Sequence, residues 1–188
     1  MNIIVAVCRN QGIGFKNTLP WKLKKELKYF KFLTKGNGNN AVIMGKNTCF
    51  SLPRALPKRE NFVLSSTMEQ TNKDFNIIKN INSLKIKNYD DVWIIGGAQF
   101  YKSMINNKLL KTIYYTDIDA DFECDTFFPE IPSYFKERFK SKDYEENEIK
   151  YNMKIFINDY YLKGLTNQEY HKYINKAQTS LHYTNLTL

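Results

Sequence analysis

An acidic residue, Glu26, stands among lysines in the stretch NTLPWKLKKELKYFK, which runs from Asn17 to Lys31. If this stretch is helical, Glu26 lies on the apolar face and the lysines lie on the opposite face. The apolar face is formed by Leu23, Leu27, Phe30 and Leu33. Because a buried carboxylate without a partner costs free energy, an acid on such a face is typical of a ligand-binding or catalytic position. The alternative is a structural acid near the helix start that bonds a backbone N–H group.

Two segments share a pattern of apolar strand, glycine and helix, which suits phosphate binding. They are VIMGKNT, residues 42–48, and WIIGGAQFY, residues 93–101. In a parallel sheet both helices begin at the same edge, where free N–H groups attract phosphate and glycine allows a close approach. Together they could hold the two ends of a dinucleotide, with Lys46 as an additional cation. The alternative is that both are ordinary strand-to-helix turns.

Neither of the usual phosphate-binding fingerprints fits these glycines. The Gly12–Gly14 pair lacks the third glycine of the dinucleotide motif, because Asn17 stands at that position. Gly45 is followed by Lys46 but then by Asn47, where a P-loop needs a hydroxyl residue for its metal ion. The sequence therefore predicts a nucleotide site of another kind, or none.

The composition is that of a globular protein with a basic surface. The chain has 188 residues, of which 43% are hydrophobic and 15% aromatic, enough for one domain with a sizeable core. The formal net charge of +9 is compatible with nucleic acid, an anionic surface or a small polyanionic ligand. Because the lysines are spread along the chain and no nucleic-acid-binding motif is present, we expect no specific nucleic-acid partner.

Cysteine and histidine usage excludes several kinds of chemistry. Cys8, Cys49 and Cys124 are far apart and form no CxxC pair, so we expect no metal site and no disulfide framework. Reduced thiols favour a cytoplasmic location. Both histidines lie beyond residue 163, so a Ser-His or Cys-His pair is not expected before it. We expect no membrane association, because no apolar run reaches the length of a membrane span.

Apolar runs alternate with helix or turn signals along most of the chain. Strands are predicted at residues 3–7, 41–45, 61–66, 75–80, 92–97, 112–119 and 150–159. This alternation predicts a single α/β domain over residues 1–163, with a mixed, mainly parallel sheet, an antiparallel C-terminal strand and helices on both faces. Residues 164–188 are predicted to be a polar C-terminal extension or linker, in which Tyr170, Ile174 and Ala177 could form a weak amphipathic helix.

The ordered set of motifs resembles dihydrofolate reductase over residues 2–160. The motifs are IVAVCRNQGIGFKNTLPWKLKKELKYFK, VIMGKNT, LPKREN, LSS and WIIGGAQFY, and YYTDIDADFECDTFFP is similar to the family's late strand and loop. The resemblance implies an eight-stranded mixed sheet. It also implies NADPH as hydride donor and dihydrofolate as acceptor, with hydride transfer to pterin C6 and protonation at N5 giving tetrahydrofolate.

The resemblance also implies roles for individual residues around the substrate. Glu26 matches the family's active-site acid, which binds the N3 and 2-amino edge of the pterin, with Thr116 bonded beside it and Trp21 ordering a water. Arg59 would hold the α-carboxylate of the glutamate tail. The pterin and benzoyl groups would lie against Val5, Ala6, Leu27, Phe30, Leu52, Leu56 and Ile95.

A second set of residues would hold the cofactor. Residues 12–19 resemble the mobile loop that covers the nicotinamide, and in this family the glycines matching Gly96 and Gly97 are joined by a cis peptide bond. Gln99 stands where some relatives carry arginine near the 2′-phosphate, which leaves Lys46 as the main cation there. The cofactor-binding residues implied are Ala6, Ile13, Gly14, Asn17, Gly45, Lys46, Asn47, Thr48, Leu64, Ser65, Ser66, Lys79, Gly96, Gly97, Ala98, Gln99, Phe100 and Tyr101.

The residues are also compatible with two other functions. One is a reductase of similar fold that acts on another pyrimidine or pterin, as in riboflavin synthesis. The substrate of such an enzyme has no glutamate tail that Arg59 could hold. A catalytically idle binding domain is the alternative outside the enzymes. The segment NQEYHKYINKAQ faintly resembles the first helix of thymidylate synthase, which would imply a thymidylate synthase domain or partner at the C-terminal tail; the alternative is a disordered extension.

Overall fold

The fold is taken from a computed structural model, which describes residues 1–69 and 74–186, with side chains described as far as residue 182. The strands are β1 (Asn2–Cys8), β2 (Gly12–Gly14), β3 (Ala41–Gly45), β4 (Glu60–Leu64), β5 (Asn76–Ile78), β6 (Val92–Ile94), β7 (Thr112–Ile118), β8 (Thr126–Phe127), β9 (Phe135–Lys140), β10 (Tyr144–Glu146) and β11 (Ile149–Asn158). The α-helices are α1 (Lys24–Lys35), α2 (Lys46–Ser51), α3 (Ala98–Met104), α4 (Asp159–Lys163) and α5 (Asn167–Leu186), and short 3-10 helices span Ile81–Ser83 and Ile86–Asn88.

The main sheet has the strand order β10-β11-β7-β1-β6-β3-β4-β5, and β9 also pairs with β11. The strands from β7 to β5 in this order run parallel, whereas β11 is antiparallel to β7, β9 and β10. The predicted α/β fold with a mixed, mainly parallel sheet and an antiparallel C-terminal strand is confirmed. The eight strands that the resemblance implies are neighbours in this one sheet. In the described part of the chain, β9 is a ninth strand, which pairs with β11.

The unbroken apolar strands are buried because both faces of the sheet are covered. In β1, Ile4 packs on one face with Leu33 of α1, and Ile3 and Val5 pack on the other face with Met104 of α3. Successive side chains of a strand point to opposite faces, so a strand covered on both sides has no exposed position that favours a polar residue. This placement puts helices on both faces, as predicted.

Helix α1 turns its acidic residue inward. Glu26 is 5% exposed and is buried together with Tyr29 and Leu33. The exposed lysines on the opposite side are Lys24, Lys28 and Lys31. Leu27 was predicted on the apolar face but is 49% exposed, because it borders a large cleft at the edge of the sheet. The helix ends at Gly36, whose φ of 50° lies in the left-handed region that favours glycine.

Strands β9 and β10 were not predicted from the sequence. The sequence of β9, FKERFK, is mostly charged, and only Phe135 is buried. Because β9 lies at the border of the sheet and exposes most of its side chains, it lacks the apolar run or alternation that indicates a strand. The short β10 forms a hairpin with β11, in which Glu146 pairs with Ile149.

The segment after residue 163 contains α5, a helix of 20 residues. Its Ala177 and Leu181 are buried in the same cluster as Tyr29 of α1 and Trp93 of β6. The hydroxyl of Tyr173 hydrogen-bonds Thr112 of β7. The polar segment that was predicted as an extension or linker therefore covers one face of the sheet beside α1.

Among the described helices, none is both long enough and apolar enough to cross a bilayer.

Candidate active site

A cleft of about 1300 Å³ opens along the edge of the sheet where the parallel strands end. It is bordered by α1, by the starts of α2 and α3, and by the loop that carries β2. Ligands of open α/β sheets bind at this edge because helix starts and loops converge there. Most of the predicted site residues line this cleft, although they come from widely separated parts of the sequence.

Glu26 lies at the buried side of the cleft, and Thr116 contacts it from behind. Thr116 Oγ1 donates a hydrogen bond to Glu26 Oε1 over 3.2 Å. Burial raises the pKa of Glu26 to about 7, and the negative charge of Glu146 also raises it, whereas the hydrogen bond from Thr116 lowers it. Thr116 faces Ala6 across the parallel pair of β1 and β7, so the sheet fixes the threonine beside the acid. The carboxyl group can change its protonation state near neutral pH.

Trp21 does not line the cleft itself but is buried behind it. It is 4% exposed and packs edge-on against Phe122, with ring centroids 5.4 Å apart. Its indole Nε1 is buried and has no hydrogen-bond acceptor among the described residues. A buried N–H group without a protein partner is typical of a position that bonds an ordered water.

The apolar residues predicted to contact substrate meet on the α1 side of the cleft. The lining residues among them are Val5, Ala6, Leu27, Phe30, Leu52 and Ile95. Leu56 lies outside the lining and packs against the core beneath it. Its backbone N–H donates to Asn61 Oδ1 over 2.9 Å, so a side chain of β4 holds the loop that precedes this strand.

Arg59 also lies outside the cleft lining, next to the C-terminal half of α1. One guanidinium nitrogen donates to Thr34 Oγ1 over 2.6 Å, and Nε donates to the carbonyl oxygen of Pro57 over 3.1 Å. Burial lowers the pKa of Arg59, and within the described ranges no carboxylate forms an ion pair with it. The arginine is thus held in one orientation and retains donors for an anionic group.

The residues predicted to hold a cofactor form the opposite side of the cleft. Helices α2 and α3 both begin there, with Gly45 and Gly97 as N-cap residues and no side-chain cap at either. The Gly96–Gly97 peptide bond is cis, as the resemblance implies, and Gly45 N–H donates to Gly96 O over 2.7 Å. The cleft lining includes Ile13, Gly14, Asn17, Gly45, Lys46, Asn47, Thr48, Leu64, Ser65, Ser66, Lys79, Gly96, Gly97, Ala98, Gln99, Phe100 and Tyr101.

This side of the cleft has the chemistry that a dinucleotide phosphate requires. Neither N-cap glycine provides a side-chain cap, so both helix starts offer backbone N–H groups to a ligand. Lys46, Ser65 and Ser66 add a cation and two hydroxyl groups. Gly96 has a φ of 119°, which favours glycine, and a side chain at Gly97 would approach Thr48 Oγ1 to 3.3 Å. The residues present therefore fit a phosphate-bearing cofactor.

The loop over residues 12–19 is held by a second, two-stranded sheet. Strand β2 pairs with β8, and Lys16 N–H donates to Asp125 Oδ2 over 2.8 Å. Asp125 N–H in turn donates to Gly14 O over 3.1 Å. These contacts place Asp125, Thr126 and Phe127 in the cleft lining, which sequence reasoning missed. The resemblance covered this segment, but only the pairing of β2 with β8 shows that it reaches the cleft.

Comparisons with known proteins agree with this geometry. A family model described as dihydrofolate reductase matches residues 1–159. The dihydrofolate reductase of Drosophila melanogaster is 40% identical over 173 residues, which cover 82% of this chain and 95% of that protein. The viral dihydrofolate reductase of Saimiriine herpesvirus 2 is 38% identical over 194 residues, with 88% and 91% covered. That of Candida albicans is 35% identical over 182 residues, with 82% and 94% covered.

The chain belongs to the dihydrofolate reductase family, and it is an enzyme of this type, an oxidoreductase. The prediction made from the motifs is confirmed at the level of the family. These relatives are matched over nearly their whole length, so they are reductases without a further domain of any size. They give no support to the thymidylate synthase domain or partner that the C-terminal residues suggested.

Proposed function

We propose that this protein reduces dihydrofolate to tetrahydrofolate with NADPH, by hydride transfer to pterin C6 and protonation at N5. The observation that carries the proposal is Glu26. This chain belongs to the dihydrofolate reductase family, and the carboxyl group of Glu26 is buried at the cleft. It accepts a hydrogen bond from Thr116 and has a pKa of about 7. Such a group suits a flat heterocycle whose hydrogen-bond donors point into the cleft.

Glu26 binds the N3 and 2-amino edge of the pterin and orients the ring. An ionised carboxylate accepts from both of these donors, and its charge favours the protonated form of the substrate. The apolar contacts of Leu27, Phe30 and Ile95 exclude water around the pair, which strengthens its electrostatic interaction. The buried indole N–H group of Trp21 orders a water close to the reacting ring.

NADPH is held on the opposite side of the cleft. The uncapped starts of α2 and α3 bind its phosphate groups, together with Lys46, Ser65 and Ser66. Lys46 provides the cation near the 2′-phosphate, which favours NADPH over NADH. When bound, the cofactor supplies the hydride, while the chain supplies orientation and the exclusion of water.

Arg59 binds the α-carboxylate of the substrate's glutamate tail. Its guanidinium group is oriented by Thr34 and by the carbonyl oxygen of Pro57. A planar guanidinium group recognises a carboxylate through two parallel hydrogen bonds, which a lysine cannot reproduce. A substrate without such a tail leaves this residue without a role, which argues against other pterin or pyrimidine substrates.

The proposal is tested with a spectrophotometric assay in which purified protein is mixed with dihydrofolate and NADPH. We expect the absorbance of both to fall together and an antifolate to stop the reaction. The variant Glu26→Gln should keep the fold and NADPH binding but lose most turnover at neutral pH, since an amide carries no charge. Glu26→Asp is the matched control and should keep part of the activity. Near-normal turnover of Glu26→Gln, or no reaction of the unaltered protein, would contradict the proposal.

A further inference from the structure

Helix α1 has no local residue that caps its start. Its N-cap position is Leu23, whose side chain cannot accept a hydrogen bond. The cap comes instead from Glu146 at the end of β10. Its Oε1 accepts from Lys24 N–H over 2.7 Å and its Oε2 from Lys25 N–H over 3.0 Å. One carboxylate thus bonds the two backbone groups that immediately precede Glu26.

The hairpin between β10 and β11 holds this carboxylate in place. Asn147 and Glu148 both adopt positive φ, 52° and 62°, as in a tight two-residue hairpin turn. Asn147 Nδ2 donates to the carbonyl oxygen of Lys22 over 2.8 Å, which is a second bond between the hairpin and the start of α1. The start of the helix is therefore tied to a turn more than a hundred residues later in the chain.

The same hairpin includes β11, the strand that pairs with β7, and β7 carries Thr116, the hydrogen-bond partner of Glu26. Strand β11 runs antiparallel to β7, and its Met153 pairs with Thr116. Thr116 donates to Glu26, and Glu146 bonds the residues before Glu26. Thr116 on β7 and Glu146 on β10 are therefore both positioned by strands that pair with β11.

We propose that Glu146 is a positioning residue for the active-site acid: it anchors the first turn of α1 so that Glu26 meets Thr116 and the pterin edge. Glu146 does not line the cleft and need not touch substrate. The inference rests on the proposed function, because it concerns the role of Glu26 in that reaction.

The charge of Glu146 adds an electrostatic effect to this contact. The titratable groups that act on Glu26 or respond to it are Glu146, Tyr29 on the same helix, Tyr101 on α3 and Tyr151 on β11. Burial raises the pKa of all three tyrosines, so they are neutral near pH 7. The negative charge of Glu146, in contrast, raises the pKa of Glu26 and so favours its protonated form.

The NMR and exchange measurements use the ligand-free protein, three variants of the hairpin and, for signal assignment, Glu26→Gln. Glu146→Gln keeps an acceptor but removes the charge, and Glu146→Ala removes both. Glu145→Gln is the matched control, because Glu145 lies on the same strand, faces Lys150 and is exposed. The carboxyl signal of Glu26 is followed by NMR as pH changes, and it is assigned by its loss in Glu26→Gln. Hydrogen exchange of the Lys24 and Lys25 amides is measured in parallel.

We expect Glu146→Gln to lower the pKa of Glu26 and Glu145→Gln to leave it unchanged. Glu146→Ala should speed the exchange of both amides by roughly tenfold, the factor that corresponds to the loss of one N-cap. In the assay, both Glu146 variants should raise the KM for dihydrofolate severalfold while the Kd for NADPH stays the same. A lower melting temperature alone, with the titration of Glu26 and the amide exchange unchanged in both variants, would overturn the inference. If the unaltered protein shows no turnover, the proposed function fails, whereas the NMR and exchange results still decide the role of Glu146.

Discussion

The burial of Glu26 makes the free energy of unfolding depend on pH. The ordinary pKa of the carboxyl group is 4.5, and burial raises it to about 7 in the folded state. Between these two values the folded protein binds more protons than the unfolded chain does. The free energy of unfolding therefore falls as pH rises through this range, because the unfolded chain releases this proton while the buried carboxyl group of the folded protein still holds it. The burial on which the proposed role of Glu26 rests thus costs stability in the ligand-free protein.

Glu26→Gln should remove this cost. A neutral amide does not ionise, so the variant should gain stability relative to the unaltered protein as pH rises from about 5 to about 8, by roughly 2–3 kcal/mol. Urea denaturation at several pH values measures this difference. Glu145→Gln is the control, because Glu145 is exposed and its stability difference should not follow the same curve. A constant difference between Glu26→Gln and the unaltered protein over this range would show that the burial of Glu26 carries no such cost.

The sequence predicted the burial of Glu26 but not the contact between the β10–β11 hairpin and the start of its helix. The helical wheel needs only the spacing of Leu23, Phe30 and Leu33, which is local information. The cap from Glu146 depends on how β10 and β11 pair, and nothing near residue 24 indicates it. Local spacing therefore indicates which side chains turn inward, whereas contacts between distant segments require the fold.

Helix α5 explains a second feature of α1 that the wheel missed. Tyr29 is buried because α5 packs beside α1, with Ala177 and Leu181 in the same apolar cluster. Lys176 forms an ion pair with Asp91 over 2.7 Å, which ties α5 to the segment before β6. The polar composition of residues 164–188 hid this packing, since a helix that buries only a narrow stripe has few apolar residues. The buried strands β1, β3 and β6, in contrast, were predictable because their apolar runs are nearly continuous.

The division of the chain at residue 163 can be tested by mutation and truncation. If α5 is part of the folded core, Leu181→Ala should lower the free energy of unfolding by about 2–3 kcal/mol, because Leu181 is 7% exposed. Ending the chain after Lys163 should destabilise it further by exposing Trp93 and Tyr114. Gln178→Ala is the control at an exposed position of the same helix. Urea denaturation that gives the same midpoint for all four proteins would show that residues 164–188 are an extension that the domain does not need.

The net charge of +9 is a property of the whole molecule, and it affects the rate at which charged ligands associate with it. The proposed ligands NADPH and dihydrofolate are both anionic, and Lys46 and Lys79 line the cleft on the side proposed for the cofactor. Lys79 donates to the carbonyl oxygens of Ser66 and Met68, which keeps its charge at the edge of β5. A positive field over a concave surface raises the rate of association of anions without changing the fold.

The association rate constant of NADPH should therefore fall as salt concentration rises, by roughly three- to tenfold between low and high ionic strength. NADH carries less negative charge because it lacks the 2′-phosphate, so its rate constant should fall less steeply. Stopped-flow measurement of cofactor binding gives both slopes. Lys46→Gln should flatten the slope for NADPH more than Lys172→Gln, which removes the same charge from α5, outside the cleft lining. Equal slopes for the two variants would mean that net charge alone steers the cofactor, whereas a steeper dependence in the unaltered protein and in Lys172→Gln assigns the steering to the cation at the start of α2.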